Sequence, residues 1–336
     1  MKKMTRREFL KTTAASALAL TAAGVLGACG KGSSSQGTEQ GNSSEKKTLT
    51  FGTGGTSGTY YAVGGVMATV LNDKLTLSSL NVASTGASKA NIQMIQDGEA
   101  DIAIVQNDVM SYAAAGTDLF ANEGKYDGFQ TICGVYAETC QCVCSADIKS
   151  FEDLKVKKVV VGDAGSGTEF NAQQILAAYG ITYDDIDVQY GSFGDVSDSI
   201  KDGLIDAGFV TAGAPTTAVT DLATSKEINI LTVDNAHAEN LINQFPFYTK
   251  NVIPAGTYKG LDTDIQTVAV KATLIASTKL SKDVVYELTQ AIFDNLPALV
   301  EGHAKFGELS LESAVDGIDV PFHPGAEAFF QDHGLM

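Results

Sequence analysis

Two short segments carry most of the chemistry on offer in this sequence. Phe51-Gly52-Thr53-Gly54-Gly55-Thr56-Ser57-Gly58-Thr59-Tyr60 and Val161-Gly162-Asp163-Ala164-Gly165-Ser166-Gly167-Thr168-Glu169-Phe170 each end an apolar run in a Gly/Ser/Thr loop and then open a helical pattern. The first N–H groups of a helix lack intrahelical partners and carry the positive end of the peptide dipoles, so each loop is a seat for an anionic group. The two loops recur in halves of similar grammar, which points to a duplicated lobe with a ligand held between the copies.

In the first loop, Gly54, Ser57, Gly58 and Thr59 offer amide N–H groups and hydroxyls to a carboxylate, and Tyr60 adds an aromatic wall or a phenol hydrogen bond. The bland alternative is a helix cap with exposed glycines. Thr85, Ser88 and Asn91 stand at a second helix start, where capping would use the same residue types. Gln106 follows a buried strand, at the carboxyl edge where open α/β sheets bind ligands; otherwise it is a loop amide. From the second half, Gly165, Ser166 and Thr168 form the opposing helix start, with Asn171 one turn further in. Thr211, Ala212 and Gly213 follow a later strand in the place equivalent to Gln106.

Composition narrows what those loops must do. Residues 1–28 hold five of the 23 basic groups and one of the 40 acidic ones, so the rest of the chain has 18 against 39 and a formal charge of −21. That balance argues against nucleic acid as a partner. Arg6 and Arg7 are the only arginines, so after residue 28 no guanidinium fork is available to clasp a carboxylate. Backbone N–H groups, hydroxyls and amides must hold any anion. Enzyme signatures are weak: Gly52-x-Gly54-x-x-Ser57 lacks the third glycine of a dinucleotide fingerprint, and there is no P-loop or Gly-x-Ser-x-Gly elbow. His237, His303, His323 and His333 are scattered without metal-ligand spacing, and no cofactor or metal is expected.

Cys133, Cys140, Cys142 and Cys144 crowd into one stretch. Three of them alternate, which on a strand puts them on one face about 7 Å apart, too far for neighbours to chelate one ion. The favoured reading is small buried residues, against a disulfide with Cys133 or a thiolate site.

The N-terminus reads as an address. Lys2, Lys3, Arg6, Arg7 and Lys11 precede an apolar run from Ala14 to Leu26 that is too short to span a bilayer. Thr5-Arg6-Arg7-Glu8-Phe9-Leu10-Lys11 resembles the twin-arginine export motif, and Leu26-Gly27-Ala28-Cys29 resembles a lipobox whose Cys29 thiol takes a diacylglyceryl group. Residues 1–28 are therefore expected to be a signal peptide and 29–47 a flexible, lipid-anchored linker, which places the protein outside the cytoplasm and tethers it to a membrane. Beyond it, strands are expected at 49–53, 80–83 and 102–105, with helices at 60–71 and 88–96 between them. The second half repeats this grammar at 158–162, 168–179 and 187–190. Gly98-Glu99-Ala100-Asp101 and Gly203-Leu204-Ile205-Asp206 match as well. Alternating helices and apolar strands argue for α/β lobes with buried parallel sheets. A strand at 267–276 and a helix at 282–295 follow, and the closing helices are expected to pack on the first lobe.

At this point the residues resemble the TAXI solute receptors, the extracytoplasmic binding subunits of one class of TRAP transporters. The resemblance spans about residues 48 to 335 and is carried by Gly52 to Tyr61, Thr85-Gly86-Ala87-Ser88 with Asn91, Ala103 to Asp108, Gly165-Ser166-Gly167-Thr168, and His323-Pro324-Gly325-Ala326. It implies a two-lobed type II periplasmic-binding-protein fold, with residues 48–138 plus 250–336 as lobe I, 139–249 as lobe II, and a hinge near Glu138 and Thr249. The implied ligand is a small acidic solute such as glutamate, glutamine or 2-oxoglutarate, delivered to a membrane permease. The chain departs from the family in Tyr136 to Cys144, where relatives have a Pro before the Glu and aliphatic residues in place of the cysteines. An exported sensor or a small-molecule enzyme on the same scaffold is the alternative.

Overall fold

The computed structural model describes residues 46–336. The signal-like segment, Cys29 and nearly all of the expected linker lie outside them. Among the described residues no helix is long and apolar enough to cross a membrane.

The first half opens with β1 (Lys47–Gly52), α1 (Thr59–Leu71), β2 (Ser78–Ala83), α2 (Ser88–Asp97), β3 (Ile102–Gln106) and α3 (Asn107–Ala115), and β1 pairs in parallel with β2 and β3. A 17-residue strand, β4 (Phe129–Ser145), leads into β5 (Lys158–Val160), α4 (Gly167–Ala178), β6 (Asp187–Gln189), α5 (Phe193–Lys201) and β7 (Ala207–Ala212), with β5 parallel to β6 and β7. Then come α6 (Thr217–Ser225), β8 (Ile228–Ile230), α7 (Asn235–Gln244), β9 (Thr249–Ile253) and β10 (Ile265–Ser277). The chain closes with α8 (Lys282–Asp294), α9 (Leu296–Gly302), α10 (Leu311–Val315) and α11 (Pro324–Asp332).

The parallel sectors are not separate sheets. They are joined in one ten-stranded sheet, in the order β2-β1-β3-β10-β4-β7-β5-β6, with β8 on β4 and β9 on β10. The joint is the antiparallel pair β4 and β10, which run through both sectors. The early part of β4 pairs with late β10, from Phe129 on Ser277 to Thr139 on Ala269, while its later part pairs with β7. Alternation within so long a strand is hard to tell from two shorter ones, so sequence periodicity shows the second-sector part and not its continuity.

The repeated Gly-x-x-Asp has a common structural meaning. Gly98 and Gly203 take positive φ where a helix ends, a conformation glycine adopts without strain. Three residues later, the Asp101 carboxylate accepts the Thr50 N–H at 3.0 Å and the Asp206 carboxylate accepts the Lys158 N–H at 2.9 Å. Asp101 N–H in turn donates to the Thr50 carbonyl, and Asp206 N–H to that of Lys158. Each aspartate thus clamps the central strand of its sector to the strand that follows.

One core joins Leu49, Phe51, Val63 and Met67 to Val285, Leu288, Phe329 and Phe330, so the closing helices pack on the first sector. A second core contains Cys140, Cys142 and Cys144 with Phe151, Leu176 and Phe209. All four cysteines of this stretch are buried free thiols, and the three alternating ones share that core face.

Val156 is a surface strain point: it is 89% exposed and holds φ at 60°, a left-handed conformation that a β-branched side chain resists. Val156→Gly is expected to raise unfolding stability by about 1 kcal/mol, read from a denaturant midpoint.

Candidate functional site

Five helices begin at one cleft. The residues preceding α1, α2, α3, α4 and α5, namely Gly58, Ala87, Gln106, Ser166 and Ser192, all line it. Three of these starts belong to the first sector and two to the second, because the carboxyl ends of the parallel strands in both sectors face the same gap. Ser166 and Ser192 spend their hydroxyls on the N–H groups of Glu169 and Asp195. Gly58, Ala87 and Gln106 make no side-chain cap. The first-turn N–H groups of α1 and α2 therefore stay free for an occupant.

The sequence-predicted residues Gly54, Ser57, Gly58, Thr59, Tyr60, Ser88, Gln106, Ser166, Thr168, Thr211 and Ala212 line this cleft. Thr85, Asn91, Gly165, Asn171 and Gly213 do not. Asn91 is fully buried, donates to the carbonyls of Thr53 and Ile104, and accepts from the Thr85 hydroxyl at 2.6 Å. These two residues brace the first loop from behind. Asn171 is likewise buried and donates to Asp108 at 3.1 Å and to the Tyr248 hydroxyl at 2.9 Å. Gly165 N–H is taken by Glu169, and the Gly213 carbonyl accepts the Thr59 hydroxyl at 3.1 Å. Sequence reasoning missed Ala87, Asp163, Gly167, Ser192 and Phe193 as lining residues, took Gly55 only as part of the 54–58 loop, and placed Glu138 at the hinge rather than in the site.

The halves are shut on each other. Phe193 lies close over Gly58, and the Gln106 side chain packs on Gly167. Asp108 on α3 meets Asn171 on α4, and Tyr112 meets Gln174. The cleft keeps ≈ 50 Å³ of water-accessible space, room for a small occupant.

The electrostatics are unusual for a cleft expected to take an anion. Among the described residues no Lys, Arg or His lines it, while Glu138 and Asp163 do. Glu138, on β4 where the strand crosses between sectors, is 1% exposed and accepts the Tyr60 hydroxyl at 2.5 Å. Burial pushes its carboxyl up to about 8; the Tyr60 bond and the neighbouring Gln106 lower it, and the Asp108 carboxylate raises it. Burial also lifts Asp108 to about 6. The Asp163 carboxyl is raised by burial and by Asp195.

Ala87 carries strain into the wall. Its φ of 64° with ψ of −147° is a region essentially reserved for glycine. Ala87→Gly is expected to stabilise the fold by about 1 kcal/mol, after the entropy that glycine costs, measurable as a raised melting temperature.

The family model of the NMT1-like family matches residues 51–334, from β1 to beyond α11. The chain belongs to the NMT1-like family. Solved structures similar to this NMT1-like chain include PhnD1 from Prochlorococcus marinus (MIT 9301) in complex with methylphosphonate, at 10% identity and TM-score 0.54, covering 86% of this chain and 99% of that one. A protein from Bordetella bronchiseptica RB50 matches at 16% identity and TM-score 0.51, covering 87% and 90%. At such identities the likeness shows the fold alone, which is the two-lobed α/β fold of periplasmic binding proteins.

Proposed function

We propose that this NMT1-like chain is an extracytoplasmic solute-binding receptor of a TRAP-type secondary transporter. It closes over one small carboxylate-bearing solute, with glutamate, glutamine and 2-oxoglutarate as the leading candidates, and hands it to a membrane permease. The observation that carries the reading is the convergence of five helix starts from two facing sectors on one cleft. Such an arrangement binds anionic groups with backbone donors and holds them by closure. In this reading residues 48–138 with 250–336 form lobe I, residues 139–249 form lobe II, and Cys29 carries the lipid anchor.

A thermal-shift screen of the purified protein against amino acids, C4 and C5 dicarboxylates, sugars and nucleotides tests it. Ligand that binds only the folded state raises the melting temperature by mass action. A shift confined to glutamate, glutamine or 2-oxoglutarate supports the receptor; a shift with nucleotides or sugars alone, or none at all, rejects it.

One observation favours a second reading. A buried carboxyl with a raised pKa in a cleft is also what general acid-base catalysis uses, so Glu138 beside Tyr60 suits an enzyme. Chemical change of a bound solute, followed by chromatography, would decide for it.

A further inference from the structure

Two chemically different sets of groups meet in the cleft. The uncapped starts of α1 and α2 present N–H donors. Beside them, next to Tyr60 on α1 and Ser88 at the start of α2, stand acceptors. The Glu138 carboxyl is there, and beside it the Gln106 side-chain oxygen, in a residue only 2% exposed, has no hydrogen-bond partner among the described residues and is turned toward Gly167. A buried acceptor left without a donor destabilises the fold, and a bound donor group would recover that cost.

The groups that face Glu138 supply no positive charge. Tyr60 comes from α1, Asp108 from α3, and Tyr136 and Cys140 from β4 itself. Asp163, in the turn before α4, shares the cleft wall. Lys271 on β10 is cross-strand from Ala137, but its ammonium donates to the carbonyls of Ser313 and Asp316. Lys305 packs beside Gly213 and is paired with Glu308, which accepts the Ala137 N–H. Among the described residues an ionised Glu138 therefore meets no cation, and without a cationic solute the carboxyl stays protonated.

We infer that the cleft recognises the ammonium group of its solute through Glu138 and Gln106, and that Glu138 releases its proton to solvent as that ammonium enters. The inference rests on the receptor reading above and narrows it to α-amino acids bound as zwitterions: carboxylate at the helix starts, ammonium at Glu138. Charge balances without a protein cation, since one proton leaves for each ammonium that arrives. A dicarboxylate without an amino group leaves Glu138 protonated and the Gln106 oxygen unpaired.

Titration calorimetry of the purified protein with L-glutamate, L-glutamine, glutarate and 2-oxoglutarate, each in two buffers of different ionisation enthalpy, reads this directly. At pH 7 about one proton should be released per amino acid bound, and affinity should rise by up to about tenfold per pH unit from 6 towards 8. Glu138→Gln, which can still accept the Tyr60 bond, should weaken amino-acid binding at least a hundredfold and abolish the pH slope. Amino-acid binding without proton release, or 2-oxoglutarate binding as tightly as glutamate, overturns the inference while leaving a receptor in place. Silence from every solute rejects the receptor reading and the inference together. The wild-type proton count stands by itself if the variant proves unstable.

Discussion

Gly167→Ala is expected to abolish tight solute binding while leaving the two halves folded. A Cβ at this position would lie 1.9 Å from the Gln106 side-chain oxygen, 2.6 Å from its Cδ and 3.0 Å from Val109. Gln106 belongs to the first sector and Gly167 opens α4 in the second, so the added methyl acts between the halves. Either the halves stop short of closure, or Gln106 swings into the cleft and occupies the solute's space. Both routes remove contacts made only in the closed form. A loss of at least about a hundredfold in affinity, near 2.7 kcal/mol, is expected. Gly194→Ala is the control: it sits on the second-sector side of the cleft, but its methyl would make only ordinary contacts of 3.5 Å and longer. Calorimetric affinities of the two variants, with melting temperatures as the folding check, decide the matter; equal affinities would mean that closure is not what holds the solute.

The solute-free protein should lose stability as pH rises from about 5 to 8. Glu138 has its folded pKa near 8 and Asp108 near 6, both raised above ordinary carboxyl values chiefly by burial. When the folded pKa is the higher one, the folded state binds more protons, and stability falls with pH between the unfolded and folded values. The contribution is fully present below pH 4, and the Glu138 part is lost only when pH has passed about 8. At 1.36 kcal/mol per pKa unit, Glu138 accounts for about 5 kcal/mol and Asp108 for about 3, and the two do not simply add because the Asp108 carboxylate is one of the causes that raise Glu138. Denaturant unfolding at a series of pH values would show the decline, and Glu138→Gln should remove its upper part. A flat profile between pH 5 and 8 would mean that water reaches Glu138 in the empty protein.

The sequence made the scaffold legible wherever a local rule has one structural outcome. Helix starts after Gly/Ser/Thr loops, apolar strands and the paired Gly-x-x-Asp turns fall where spacing puts them, because Asp101 and Asp206 can make their clamps only at the start of the following strand. The candidate site was legible in part. A polar residue at a helix start looks the same whether it faces a ligand or braces a loop, which is why Asn91, Thr85 and Asn171 could not be told from Ser88 and Thr168. Glu138 is a different case. Its place in the cleft depends on where a 17-residue strand passes from one sector to the other, and nothing local marks that point. Asp163 and Phe193 reach the cleft only through the second sector's packing, and a single sequence does not show which side of a loop turns inward.

The two long strands have a mechanical consequence. Because β4 and β10 continue through both sectors as a paired ladder, the halves are connected by a flexure rather than by a swivel. A flexure moves by distributing small twists over many hydrogen bonds, so its travel is limited and a restoring torque grows with displacement. It also has a preferred axis, along the ladder, and its bend falls on residues 268–270 of β10, opposite the point where β4 passes from β10 to β7, because the register irregularities at Ala272/Thr273 and Leu274/Ile275 lie where β3 and β4 hold β10 on both edges. Substitutions there would alter the stiffness of the movement, and hence the rate at which cargo is captured and let go, without touching a single group that contacts it.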